Sequence, residues 1–266
     1  MSRKTILRLL LPFLAAFAAA ACTPDTPEPE PDTQPEVTEI LKGLTFSVLG
    51  NSISTYAGYI PEGFANFYTT SHIPVSDTWW MKFATLGGCT LDKNASWSGS
   101  TVCSLSPDSD NAFFGSDKRV SALGNPDIIF IAGGTNDWGL GWYDLGEYGN
   151  KQTHSFRGAY TYLLDKLHTR YPDAELICLS IIPRSNDPRT ANSQGWTIFD
   201  GNASILKIAN EKGAWYIDLS YCGMEKDVWS YTLDGLHPNS SGMNLIARHI
   251  LKNLPSGLIE KLKQKH

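Results

Sequence analysis

The 266-residue chain predicts an α/β fold built on a mainly parallel central sheet. Three observations carry that expectation. From Leu44 onward, short apolar runs alternate with helical patterns, the mark of parallel βαβ units. The runs Pro126–Gly134 and Ala174–Ile182 are nearly continuously apolar, as strands covered on both faces must be. Hydrophobic residues make up 42% and charged residues 18% of the chain, enough apolar material for one full core and one domain.

At the start of the chain, Arg3, Lys4 and Arg8 precede an apolar run from Leu9 to Ala21 that stops at Cys22. This run is shorter than the roughly 20 residues a spanning helix needs and closes on small residues, so residues 1–21 read as a secretory signal. Ala19-Ala20-Ala21-Cys22 resembles a bacterial lipobox, with alanine in place of the usual leucine three residues before the cysteine. The resemblance implies a lipidated Cys22 once the signal is removed. Pro and acidic residues then alternate through Thr23–Glu36, and no apolar residue recurs at a regular interval. Residues 22–40 are therefore expected to form a disordered, extended tether holding a domain of residues 41–266 off a membrane.

Within that domain Leu44–Gly50 is the first strand, followed by the two apolar runs, with Ala214–Ser220 as the last strand. Phe156, Tyr160, Leu163, Leu164, Leu167 and Tyr171 recur at helical spacing, and Pro172 ends that helix. Met243, Ile246, Ala247, Ile250 and Leu254 mark a final helix, with Asn239 or Ser240 as its cap and Pro255 as its stop.

Charge and cysteine usage exclude several classes. The formal net charge is −5, and removing the three leader cations and the six acids between Asp25 and Glu39 leaves −2. No basic face is available to neutralise phosphates, so nucleic acid is not an expected partner. Cys89, Cys103, Cys178 and Cys222 allow up to two disulfides in an exported chain; Cys178 lies in an apolar strand, and Cys89 with Cys103 is the pair to test. The six histidines are scattered and no CxxC occurs, so no metal is expected. No Walker or dinucleotide glycine pattern appears, so no cofactor is implied. There is no G-x-S-x-G elbow. Ser204–Lys207 and Ser109-Asp110-Asn111 match S-x-x-K and S-D-N in reversed order with no K-T-G, and are read as chance.

Four segments fall at strand ends or just before helices: Gly50-Asn51-Ser52, Asn94–Gly99, Gly133–Asp137 and Asp234–Asn239. A doubly wound sheet gathers such ends along one edge. A serine hydroxyl is a weak nucleophile until an imidazole removes its proton, and a carboxylate fixes that imidazole's tautomer and stabilises its cation. Ser52, His237 and Asp234 supply these three groups. The tetrahedral oxyanion requires donors aimed at it in advance, and the N–H groups of Ser52 and Gly99 and the amide of Asn136 are the candidates. Each segment also has a plain reading: Asn51 and Ser52 capping a helix, "GGTND" a polar turn, "WSGS" a surface loop, Asp234 and His237 a turn beside a helix cap.

Together, in order and spacing, the four segments resemble the blocks of the SGNH hydrolases, or GDSL esterase/lipase family, with "GTND" and "DGLHPN" the most specific. The resemblance runs from about Leu44 to the last helix. It implies a flavodoxin-like α/β/α sandwich, Ser52 as nucleophile, and Ser52, Gly99 and Asn136 as oxyanion donors. His237 would be the general base and Asp234 its orienting partner. The family's first block reads Gly-Asp-Ser, whereas this chain has Asn51, which keeps the shape and hydrogen-bonding reach without the charge.

Aromatic residues border these blocks. Trp97 precedes Gly99, and Trp138, Trp142 and Tyr143 follow Asn136. Flat amphipathic rings suit a wet site that stacks on sugars, so Trp97, Trp138 and Trp142 are candidate substrate contacts and a short-chain, acetyl-type ester of a carbohydrate is the leading substrate. No amphipathic interfacial helix is visible outside the signal, so the membrane is expected to be met only through the anchor at Cys22. A lysophospholipase or thioesterase of the same fold is the alternative, and a glycan-binding surface lipoprotein with weakened catalysis is the rival from another class. The expected location is the cell envelope.

Overall fold

The computed structural model describes residues 35–265; the expected signal, Cys22 and the tether to residue 34 lie outside them. The first element corrects the expected end of the tether at residue 40. Helix α1 (Pro35–Leu41) buries Val37, Ile40 and Leu41, which share one helical face despite Glu39 between them.

Five strands follow: β1 (Thr45–Gly50), β2 (Thr90–Asn94), β3 (Ile128–Ala132), β4 (Glu175–Leu179) and β5 (Trp215–Ile217). They pair in the order β2-β1-β3-β4-β5 and every pair is parallel. That is the flavodoxin-like order, whose switch point lies between β1 and β3. Successive side chains leave a strand on opposite faces, and the two cores obey this period. Phe46, Val48, Ile128, Phe130, Ile177 and Leu179 enter one cluster, whereas Leu49, Ile129, Ile131, Leu176 and Cys178 enter the other.

Helices cover both faces. On the first lie α1, α2 (Trp79–Gly87), α8 (Ser240–Lys252) and α9 (Ser256–Lys263), through residues such as Trp80, Phe83, Ile246, Ile250 and Leu262. On the second lie α5 (Phe156–Arg170) and α6 (Ile198–Lys212), through Tyr160, Leu163, Leu167, Ile205 and Ile208. Short helices α3 (Asp117–Val120), α4 (Thr135–Leu140) and α7 (Val228–Tyr231) punctuate the connections. Asn239 caps α8, accepting the N–H groups of Ser241 and Gly242, and Pro255 ends that segment only to open α9.

The cysteines correct the disulfide expectation. All four are free and buried, and Cys89 belongs to one cluster while Cys103 belongs to the other, so the sheet stands between them. Burial pushes the Cys89 and Cys178 thiols up to about 12 and that of Cys222 to about 11. They pack as small apolar groups with little thiolate to oxidise.

Arg119, in α3, has no exposed surface. Its guanidinium donates to the carbonyls of Gly50 (2.5 Å), Ala95 (3.0 Å) and Ala112 (2.8 Å) and to Ser100 Oγ (2.9 Å), and it lies 4.2 Å from the Phe114 ring. Burial pulls its pKa down to about 9, which leaves it charged at neutral pH. One side chain thus ties the carboxyl ends of β1 and β2 together. Arg119→Met would leave the Ala95 and Ala112 carbonyls without their donor, at roughly 1–3 kcal/mol for each oxygen that stays buried. A lower urea midpoint with an unchanged m value is the expected result of equilibrium unfolding.

Candidate active site

At the end of β1, Gly50 has no room for a side chain: a Cβ there would lie 2.6 Å from Ser54 Cβ and 2.9 Å from Ser96 Oγ. The chain turns under Asn51, whose extended backbone starts a single 3₁₀ turn, Ser52–Ser54, and whose Oδ1 accepts the Ile53 N–H at 3.0 Å. This short turn replaces the helix expected after Ser52. Thr55 ends it by returning to extended backbone, while its hydroxyl donates to the Ser52 carbonyl at 2.8 Å. Asn51 therefore makes the capping bond that an aspartate in its place would make, without needing the charge.

Beyond β5, the segment before α8 supplies the base. Thr232 and Pro238 form an antiparallel bridge, the Leu233 N–H donates to the His237 carbonyl at 2.8 Å, and Gly235 takes the bend at φ +83°. Within this loop Asp234 Oδ1 accepts the N–H groups of Leu236 (3.0 Å) and His237 (2.8 Å). Its Oδ2 lies 2.7 Å from His237 Nδ1, and His237 Nε2 lies 3.0 Å from Ser52 Oγ. The carboxylate dictates the tautomer: Nδ1 carries the proton and Nε2 accepts that of the serine. Burial works to raise the Asp234 carboxyl, but the N–H and imidazole of His237 outweigh it and hold the pKa below the ordinary value. Asp234 is thus ionised at neutral pH.

A residue with no signal in the sequence completes the base. Phe67 stacks on the His237 ring, with centroids 3.6 Å apart and planes 8° apart. Its N–H donates to Thr55 Oγ1 at 2.8 Å, so one threonine links the stacked ring to the nucleophile turn. Tyr68 meets the imidazole edge-on at 6.3 Å and donates its hydroxyl to the Pro238 carbonyl at 2.8 Å.

The oxyanion candidates come from the next two strands. Trp97 donates its N–H to the Gly50 carbonyl at 3.0 Å, and the turn Trp97–Ser100 places Gly99 at φ +78° with open space where a Cβ would project. Among the described residues, the N–H groups of Ser52 and Gly99 have no acceptor. Asn136, at the start of α4, donates one amide N–H to the Ser100 carbonyl at 2.8 Å, which leaves the second for a ligand. Its buried neighbour Asp137 accepts the N–H groups of Val102 (3.1 Å) and Cys103 (2.9 Å) and so pins the chain after Gly99. The four blocks meet on the carboxyl edge of the sheet, with the β1 and β3 blocks on either side of the switch point.

The tryptophans divide. Trp142 is 62% exposed, but Trp138 is 6% exposed and lies beneath the Arg184 guanidinium at 4.8 Å, so it offers no free face to a sugar. Trp97 is half-buried with its ring 4.3 Å from that of Phe64, and the Lys118 ammonium lies 5.3 Å from it. Trp229, not singled out in the sequence, is 66% exposed and borders Gly235 between Asp234 and His237. A hollow of about 710 Å³ along Tyr59, Met81 and β2 holds none of the catalytic residues. Among the described residues no cluster of His, Cys, Asp and Glu could hold a metal ion.

This arrangement is equipped for acyl transfer. In that chemistry His237 would take the Ser52 proton as Oγ attacks an ester carbonyl, and Asp234 would stabilise the resulting imidazolium. The oxyanion candidates would hold the tetrahedral intermediate. His237 would then pass the proton to the departing alcohol, and water activated by the same imidazole would release the acyl group from Ser52.

Ser52→Ala is expected to abolish turnover of p-nitrophenyl acetate while leaving the thermal midpoint near that of wild type. Asp234→Asn should lower kcat by roughly 10²–10⁴, because an amide can hold the imidazole in the wrong tautomer. Phe67→Ala, which removes a stacking contact of roughly 1 kcal/mol or more, should reduce kcat by about fivefold to tenfold with KM little changed. Steady-state kinetics on the three variants check all of this.

The family model described as GDSL-like Lipase/Acylhydrolase matches residues 44–254. A solved protein described as a GDSL-like lipase from Bacteroides ovatus ATCC 8483 is 30% identical, with 79% of this chain and 96% of that one covered at a TM-score of 0.60. Another so described, from Bacteroides uniformis ATCC 8492, is 27% identical over 80% and 95% of the two chains, at a TM-score of 0.61. A protein described as an arylesterase from Agrobacterium tumefaciens str. C58, 18% identical over 79% and 97% of the chains at a TM-score of 0.50, shares the fold. No curated protein matches the sequence. With its triad assembled and the family model matched across all four blocks, this chain belongs to the GDSL-like lipase/acylhydrolase family, the SGNH hydrolases, and is an ester hydrolase.

Proposed function

We propose that the enzyme removes an acetyl or similarly short acyl group from a carbohydrate ester at the cell envelope, through an acyl-enzyme on Ser52. The observation that carries the hydrolytic part is the continuous bond path from Asp234 through His237 to Ser52 Oγ, at 2.7 and 3.0 Å. Exposed rings on the surrounding loops, Trp142 at 62% and Trp229 at 66%, favour an alcohol with flat C–H faces over a lipid tail.

The leader and Cys22 support export and a lipid anchor. None of the described helices is long and apolar enough to cross a membrane. The intact triad favours an active enzyme over a glycan-binding relic. Lysophospholipase or thioesterase action remains the alternative outcome of the test.

Turnover of p-nitrophenyl acetate should exceed that of the decanoate by about tenfold or more in kcat/KM, since each surplus methylene must find a pocket worth about 0.8 kcal/mol. A preference for decanoate would move the assignment to a lipid substrate. Cys22→Ser should abolish incorporation of radiolabelled palmitate in a bacterial host and release the protein from the membrane fraction.

A further inference from the structure

The loop after β4 adds a charge to the site that the acyl-transfer chemistry does not use. Arg184 lies on this loop, half-buried. Ser185 donates its N–H to the Gly235 carbonyl at 2.8 Å, joining the loop to the Asp234–His237 segment. On its other side, Arg184 Nη1 donates to the Thr135 carbonyl at 3.3 Å, next to Asn136. The guanidinium is therefore held between the base and an oxyanion candidate.

Its plane is fixed by the Trp138 ring at 4.8 Å and by an Nε bond to Asn186 Oδ1 at 3.0 Å. Among the described residues it has no carboxylate partner within ion-pair distance. The carboxylate whose field acts on it is Asp234, which is committed to His237. A guanidinium has five N–H donors, and two are engaged here. A partly desolvated, planar, unpaired cation beside a reaction centre is suited to bidentate recognition of a carboxylate.

Beside it opens a cavity of about 170 Å³, lined by Arg184, Asn186, Phe199, Tyr221 and Glu225 among others. Phe199 and Tyr221 are 42% and 69% exposed. Glu225 accepts the Gly223 N–H at 2.7 Å through Oε2, which leaves its other oxygen to accept from a hydroxyl. The lining thus offers one fixed cation, ring surface, and neutral or anionic groups for hydroxyls.

We propose that this cavity is a subsite for an acidic sugar, whose carboxylate pairs with Arg184 while its ring lies against Tyr221 and Phe199 and its ester reaches Ser52. The proposal rests on the carbohydrate-ester reading above and narrows it to uronic-acid-type substrates. Arg184 is in this view a specificity residue that acts on KM more than on kcat.

The test compares kcat/KM for mono-O-acetylated methyl glucuronopyranosides with that for the matching methyl glucopyranosides, over the 2-, 3- and 4-O-acetates. Wild type should favour the acidic series by about tenfold or more at one position, the size of one charge-assisted contact. Arg184→Gln should bring that ratio to about one, and Arg184→Lys should retain part of it. Equal use of the two series by wild type, or a ratio that survives in Arg184→Gln, overturns the proposal. Should neither series be cleaved while p-nitrophenyl acetate is, the carbohydrate-ester reading falls and inhibition decides the subsite. Unacetylated methyl glucuronopyranoside must then inhibit aryl acetate hydrolysis by wild type and not by Arg184→Gln, and no inhibition of wild type overturns the subsite as well.

Discussion

A single buried guanidinium holds the catalytic edge of this sheet together. Arg119 reaches the carbonyl ends of β1 and β2 and the hydroxyl of Ser100, the residue after Gly99. Carbonyls at the carboxyl ends of parallel strands point out of the ladder and need donors once water is excluded. A cation with five donors in one plane meets several of them at once without bringing a carboxylate into the core. Because Ser100 in turn accepts from Asn136 through its carbonyl, the same side chain couples the nucleophile turn to both oxyanion loops. Preorganisation of the site and stability of the fold therefore have a common physical origin.

The geometry of the base follows a similar economy. Asp234 spends one oxygen on the N–H groups of its own loop and the other on the imidazole, so a three-residue spacing holds carboxylate and base in register. Phe67 then closes one face of the ring. The stacked face blocks rotation out of the plane, and the serine occupies the remaining in-plane nitrogen. What is left to the substrate is the far side of Ser52, where the N–H groups of Ser52 and Gly99 have no protein acceptor.

Much of this was legible in the chain. β3 and β4 write themselves as apolar runs because both faces are covered, and β1 carries the same mark. The four polar blocks stand out because parallel strands deliver chemistry at their ends, so the spacing of the blocks follows the spacing of the strands. β2 was not legible: Thr90, Asp92 and Lys93 belong to an edge strand, where alternation is weak and exposure is tolerated. Helix α6 carries a local sign in the Thr197–Asp200 capping box and Gly213. Phe67, Arg119 and Arg184 act through contacts made across the fold, and nothing within a local window announces them. Cysteine spacing likewise cannot say which face of a sheet a thiol occupies.

The nucleophile and its base are separated by 185 positions along the chain. During synthesis the serine turn and both oxyanion loops emerge early, yet they have no proton acceptor until the last loop before α8 has been made and docked. A chain halted or clipped before that point lacks its proton acceptor, however well its sheet has formed. Hydrolytic competence thus waits on the docking of one late loop, the Asp234–His237 segment.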